Sequence, residues 1–148
     1  MRYCLIKKVV SKMFGKLKNL FGGDTGITIA APTAGTVVAL ESVPDPTFAQ
    51  GILGPGIAIE PAEGRIVAPA DGTVDVMFET GHAVSMTTAD GAELLIHVGI
   101  DTVQLEGKHY KACCKAGQQV KKGDVLIEFD PAAIKAEGYQ IVTPILVC

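Results

Sequence analysis

The sequence predicts an all-β domain, an antiparallel β-sandwich or barrel-sandwich hybrid with minimal helix, and three observations carry that expectation. After Gly22-Gly23 the chain breaks into short apolar runs punctuated by Gly, Pro and Asp, a strand rhythm rather than a helical one. The stretch Ala31-Pro32-Thr33-Ala34-Gly35-Thr36-Val37 returns 37 residues later as Ala68-Pro69-Ala70-Asp71-Gly72-Thr73-Val74. Pro opening a turn and Gly preceding the returning strand suit a duplicated corner. Two copies are too few for a solenoid, but they suit a sandwich with similar halves. Beyond Gly23 only 131–137 has a helical signature, with Asp130 as N-cap and Pro131 at the first helical position.

Taken in order, residues 1–22 come first as a basic tail. Ile6, Val10, Met13, Leu17 and Leu20 recur at steps of three and four, with Lys8, Lys12 and Lys16 in a row beside them, which is the pattern of an amphipathic helix. The tail holds six of the chain's 13 basic residues and no acidic one. Such a helix suits an anionic membrane surface, with docking on the protein's own core as the alternative. The domain proper, 23–148, then offers strands at about 26–31, 35–41, 56–60, 64–68, 72–79, 82–88, 92–99 and 124–129, and a last one near 140–147.

With 148 residues, 48% hydrophobic and 20% charged, the chain is sized and composed for one folded domain. Cys4, Cys113, Cys114 and Cys148 show no C-x-x-C pair and no regular spacing, so they read as reduced thiols. The first apolar stretch is cut by Lys7, Lys8 and Lys12, against a secretory signal, and no run reaches the roughly 20 apolar residues of a spanning helix. A cytoplasmic location, peripheral to the membrane through the tail, is expected. The formal charge is -3 overall, yet residues 23–148 hold seven basic and 16 acidic groups, a net of -9. A body that acidic repels nucleic acid.

The chemistry centres on two histidines. The runs 82–88 and 92–99 flank Thr88-Ala89-Asp90-Gly91 and read as a β-hairpin. A four-residue loop closed by Thr87 and Ala92 puts His82 directly opposite His97, Cβ atoms about 5 Å apart, and a two-residue loop makes them diagonal neighbours at about 7 Å. Only a loop of odd length sends them to opposite faces. Two imidazoles among Leu94, Leu95, Ile96 and Val98 cannot both be charged cheaply, so at least one is neutral at pH 7. A neutral ring can attack phosphorus, bind a metal or take a proton. The second ring can donate its N–H to a phosphoryl oxygen. Thr80, two residues before His82, is placed to accept the proton on the other nitrogen of that ring and fix its tautomer. His109, in Gly107-Lys108-His109-Tyr110-Lys111, reads as an exposed loop residue.

These residues resemble a known family. Glu79-Thr80-Gly81-His82-Ala83-Val84-Ser85 and Leu95-Ile96-His97-Val98-Gly99-Ile100-Asp101-Thr102-Val103 are similar to the glucose-type IIA component of the bacterial phosphoenolpyruvate:sugar phosphotransferase system. So are Val43-Pro44-Asp45, Gly56-Ile57-Ala58-Ile59, the turn Ala68 to Thr73 and Gly123-Asp124-Val125-Leu126-Ile127-Glu128-Phe129-Asp130. The likeness starts at Met13, leaving 1–12 as an extension or a misplaced start. It implies a phosphohistidine carrier: His97 accepts through Nε2 from the histidine phosphocarrier HPr and delivers to the IIB domain of a separate sugar permease. His82 holds the phosphoryl group and Thr80 orients His82. Asp45 and Asp101 flank an apolar docking face that includes Phe48, Ile52, Phe78 and Val103. The family also implies binding of regulated transporters or kinases when unphosphorylated. No cofactor is required, although His82 and His97 could hold zinc with a ligand from a partner.

A zinc hydrolase on His82, His97 and Asp101 is the main rival. Catalytic zinc takes three protein ligands and a nearby base, and neither H-E-x-x-H nor H-x-H occurs here. Residues 117–126 also resemble the corner of biotinyl and lipoyl carrier domains, but no Met-Lys-Met or Asp-Lys-Ala is present.

Overall fold

The computed structural model describes residues 26–148, so the predicted tail helix over 1–22 lies outside the described residues. Among the described residues ten strands form two antiparallel sheets. In chain order they are β1 (Gly35–Ala39), β2 (Gly56–Pro61), β3 (Arg65–Val67), β4 (Gly72–Met77), β5 (Ala83–Thr88), β6 (Glu93–His97), β7 (Tyr110–Ala112), β8 (Gln119–Val120), β9 (Val125–Phe129) and β10 (Thr143–Val147). A seven-stranded sheet runs β1-β2-β10-β6-β5-β4-β8, and β3-β9-β7 make a smaller one. The all-β expectation holds. The predicted strand at 26–31 does not form: among its described residues only Ala30 makes a bridge.

Side chains alternate as half-buried strands require. Val84 and Met86 of β5 face Ile96 and Leu94 of β6 in register, and all four are buried in the main core with Ile59, Ile66, Leu126, Ile127 and Ile145. A second cluster, Leu40, Val43, Phe48, Ala58, Ile100, Val142 and Leu146, has Val38 and Leu95 packed against it. It lies beneath a 3₁₀ turn (Leu40–Ser42) and the one-turn helix α1 (Pro46–Ala49). The Asp45 carboxylate caps α1 by accepting from the Thr47 N–H at 2.9 Å. The same Asp-Pro chemistry starts α2 (Pro131–Ala136), where Asp130 accepts from the Ala133 N–H.

The duplicated corner proves to be a reciprocal clasp. The Ala30 N–H donates to the Pro69 carbonyl and the Val67 N–H to the Pro32 carbonyl, each at 2.8 Å. These are equivalent positions of the two copies, so each corner satisfies the other's backbone. The two glycines match as well. A Cβ on Gly35 would sit 2.0 Å from the Glu60 carbonyl oxygen, and one on Gly72 would sit 2.3 Å from that of Thr87. Only glycine allows backbones so close.

Candidate functional site

The last paired positions of β5 and β6 are Thr87 and Glu93, so five residues lie between them, not four or two. Ala83 pairs with His97, Val84 with Ile96 and Thr87 with Glu93, and the Thr88 N–H donates to the Ala92 carbonyl at 2.8 Å. The odd loop sets His82 opposite Val98, whose N–H donates to the His82 carbonyl at 2.7 Å. Alternation alone would then part the two rings. They nevertheless lie with centroids 4.8 Å apart, edge to face at 80°. Alternation applies inside the ladder, and both histidines sit where it ends. Gly81 (φ +70°) leads into His82, and Gly99 (φ +87°) follows His97 by two residues. The rings therefore meet around the end of the hairpin rather than on one of its faces.

Each ring is fixed through its Nδ1. The His97 Nδ1–H donates to the Gly99 carbonyl at 2.7 Å, which leaves the lone pair on Nε2. His82 Nδ1 is hydrogen-bonded to the Thr80 hydroxyl. A neutral ring carries one proton, so for Nε2–H of His82 to act as a donor the Thr80 hydroxyl must donate to Nδ1. Thr80 accepts whenever Nδ1 carries a proton, in the other neutral tautomer or in the imidazolium.

Burial, followed by the charge of the facing His97, pushes the pKa of His82 down to about 4. Burial also lowers His97, while the Gly99 carbonyl and the charges of Asp45 and Asp101 pull the other way. Both rings are thus neutral near pH 7, and any positive charge that develops on His97 has a carbonyl and two carboxylates to meet it.

The remaining predicted residues surround this pair. The Phe78 ring meets His82 edge-on at 5.4 Å and Phe48 tilts against His97 at 5.0 Å. Ile52, Val103 and Phe78 are exposed by 68%, 52% and 39%, an unusual concentration of bare apolar area beside two buried imidazoles. Phe48 corrects the expectation of a surface contact. It is only 5% exposed because α1 lays it into the second core cluster, so it walls the site from below. Asp101 holds a left-handed backbone (φ 58°) at the start of a 3₁₀ turn (Thr102–Leu105). Its identity within His-Val-Gly-Ile-Asp was legible, but the strained backbone was not. His109 is half-buried rather than exposed, its Nε2 3.2 Å from Glu137 Oε1, and it takes no part in the site. Among the described residues no cluster of three or more His, Cys, Asp or Glu is arranged for a metal ion.

Residues 27–148 match the family described as the phosphoenolpyruvate-dependent sugar phosphotransferase system, EIIA 1. The chain belongs to this family. It is 44% identical over 136 residues to a glucose-specific EIIA component of Staphylococcus epidermidis, an alignment spanning 92% of this chain and 80% of that one. It is 51% identical over 120 residues to a beta-glucoside-specific EIIBCA component of Dickeya chrysanthemi. That match takes in 81% of this chain but only 19% of the longer relative. The glucose permease IIA of Mycoplasma capricolum superimposes with a TM-score of 0.79 at 33% identity, over 84% of this chain and 80% of that one. EIIA domains of this type therefore occur both as chains of similar length and fused within longer permeases. Among the described residues no helix is long and apolar enough to cross a membrane.

Proposed function

We propose that the chain is a phosphoryl carrier in which Nε2 of His97 takes the group from a phosphohistidine donor, the phosphocarrier HPr, and hands it to the IIB domain of a sugar permease. The observation that carries this reading is the pairing of two neutral imidazoles whose Nδ1 atoms are already engaged, by Gly99 and by Thr80. In the first step the His97 Nε2 lone pair attacks phosphorus, a P–N bond forms, and the donor's P–N bond breaks with its electron pair returning to the donor ring. The proton stays on Nδ1, donated to the Gly99 carbonyl. Positive charge gathering on the His97 ring is met by that carbonyl, Asp45 and Asp101, the groups that already favour it. The Nε2–H of His82 then donates to a phosphoryl oxygen, with Thr80 holding the tautomer. The arriving charge favours a second proton, taken up from solvent at His82 Nδ1, and the Thr80 hydroxyl turns from donor to acceptor of that N–H hydrogen bond. Transfer to the IIB domain is the same displacement in reverse, so alignment and charge placement do most of the work.

The bare apolar rim of Ile52, Phe78 and Val103 suits reversible docking to both partners, with Asp45 and Asp101 at its edge. A phosphoryl group on His97 adds nearly two negative charges there, a means for regulated partners to tell the two forms apart. The same two rings would supply two ligands to a zinc ion completed by a partner. The chain would work on the cytoplasmic side of the membrane, with residues 1–22 as a surface contact.

The test is to incubate the protein with phosphoenolpyruvate and the two general proteins of the system and map the acid-labile phosphate. Label is expected on His97 and absent from His97→Gln. Label persisting in that variant would sink the assignment.

A further inference from the structure

The Gly99 carbonyl that fixes His97 lies in the Gly99–Ile100 peptide, whose N–H donates to the Gln140 carbonyl at 3.0 Å, and the peptide before it is fixed as well. Gly99 follows Val98, whose backbone is tied on both sides. Its N–H goes to the His82 carbonyl at 2.7 Å. Its carbonyl accepts two hydroxyls, Thr102 Oγ1 at 2.7 Å and Tyr110 OH at 2.8 Å. Both lone pairs of that oxygen are used, which restrains the Val98–Gly99 peptide plane more than a single donor would. The two donors come from different places. Thr102 is fully buried within the 3₁₀ turn after the site, whereas Tyr110 belongs to β7 of the smaller sheet and stacks on Phe129 at 6.2 Å. Gly99 cannot escape sideways either, since a Cβ there would lie 2.5 Å from Thr102 Cγ2 and 2.8 Å from the Gln140 carbonyl oxygen.

We propose that Tyr110 and Thr102 are positioning residues for phosphoryl transfer, which hold the Val98–Gly99 peptide so that the Gly99 carbonyl keeps the proton of His97 on Nδ1 and its lone pair on Nε2. This rests on the carrier reading above. Tyr110 acts as a strut from the smaller sheet to the end of β6, and neither hydroxyl touches a ring nitrogen. Burial pushes the Tyr110 hydroxyl up to about 12, with the neighbouring Thr102 hydroxyl opposing, so it remains a donor at any physiological pH. With either hydroxyl removed, the peptide plane gains freedom, the Gly99 acceptor loosens, and the Nε2–H tautomer, which cannot attack phosphorus, gains population.

The experiment uses the full chain with ¹⁵N-labelled histidine, and compares wild type with Tyr110→Phe, Thr102→Val, Thr102→Ser and the double variant Thr102→Val/Tyr110→Phe. Ring ¹⁵N shifts report the His97 tautomer without any donor protein, and steady-state phosphorylation by the phosphorylated donor gives kcat and KM. Tyr110→Phe keeps the ring stacked on Phe129, so its thermal midpoint should stay close to wild type. We expect a shift of His97 signal toward the Nε2–H form and a fall in kcat of about fivefold for each single variant, the size of one hydrogen bond. KM should be unchanged and Thr102→Ser should restore the rate. An unchanged tautomer in both Tyr110→Phe and Thr102→Val would overturn the proposal, as would a rate loss that follows stability or KM instead. If wild type accepts no phosphate, the carrier reading fails, while the tautomer shifts still decide whether the strut holds His97.

Discussion

The two copies of the Ala-Pro corner share sequence and backbone, yet what each launches differs completely. From the first, β1 runs out to the 3₁₀ turn and α1, delivering Asp45 and Phe48 to one side of His97. From the second, β4 runs out to Phe78, Thr80 and His82 on the other side. At the clasp, freedom is small, because the two copies exchange equivalent backbone bonds and each glycine lies against a carbonyl. Beyond the strands the copies diverge, one into a short helix that caps and packs, the other into a glycine turn that aims an imidazole. Duplication fixed the frame, and chemistry entered where the frame stops constraining the chain.

That division can be broken from either side. The largest effect is expected at the site: His97→Gln should lower phosphoryl acceptance by about a thousandfold or more, with a urea midpoint near wild type. His82→Gln comes next. It should still be labelled by the donor, but single-turnover delivery to a IIB domain should slow about a hundredfold through loss of the second ring's hydrogen bond. At the clasp the pattern should invert. Gly72→Ala forces a methyl against the Thr87 carbonyl and should cost about 2 kcal/mol in urea unfolding, with phosphorylation of the folded fraction within about twofold of wild type. Loss of transfer without loss of stability in Gly72→Ala would mean that the clasp and the site are one unit.

Acid offers a gentler probe of the same contrast. The unfolded His82 ring binds a proton near pH 6.5, and the folded ring does so only near 4. Between those values the unfolded state holds more protons, so stability falls as pH drops from 6.5 toward 4. The expected loss is about 2 kcal/mol after allowance for solvent at the rim, with His97 acting in the same sense. Urea melts at pH 7 and 4.5 should show this loss in wild type and a smaller one in His82→Gln. The smallest change is expected from Asp101→Asn, about threefold in acceptance rate, because an exposed carboxylate at the rim is well screened. It should be measurable at low ionic strength and fade with added salt.

Most of the frame could be read from the sequence because strands declare themselves by alternation and corners by Pro and Gly. β7 and β8 escaped because three exposed or half-buried residues and a two-residue bridge carry no period. The segment 26–31 looked like a strand by composition, but it finds only the clasp to bond with. α1 was missed although Asp45-Pro46 carries the very signal read correctly at Asp130-Pro131, because one turn is too short to show a period. The histidine pairing was anticipated and its register was not: loop length in a polar turn is not encoded by the flanking strands. Nor could alternation show that two rings of opposite parity would meet at the end of a ladder. The contacts of Tyr110 with Val98 and Phe129 depend on the smaller sheet crossing behind the site, and such tertiary neighbours leave no local mark.

The place of β10 in the larger sheet bears on how the domain is born. It lies between β2 and β6 and pairs with both, so within the larger sheet it joins the hairpin that carries His97 to the pair β1 and β2. Synthesis reaches β10 only after every other strand has emerged. Until then β2 and β6 each expose an unpaired edge, and the contacts β10 will make are all distant in sequence. Such an order favours slow, late closure and leaves a window for mispairing. During that window the two sides of the site, Phe48 with Asp45 and His82 with His97, belong to pieces that the sheet has not yet joined, so competence to carry a phosphoryl group should appear in one late step rather than grow with the chain.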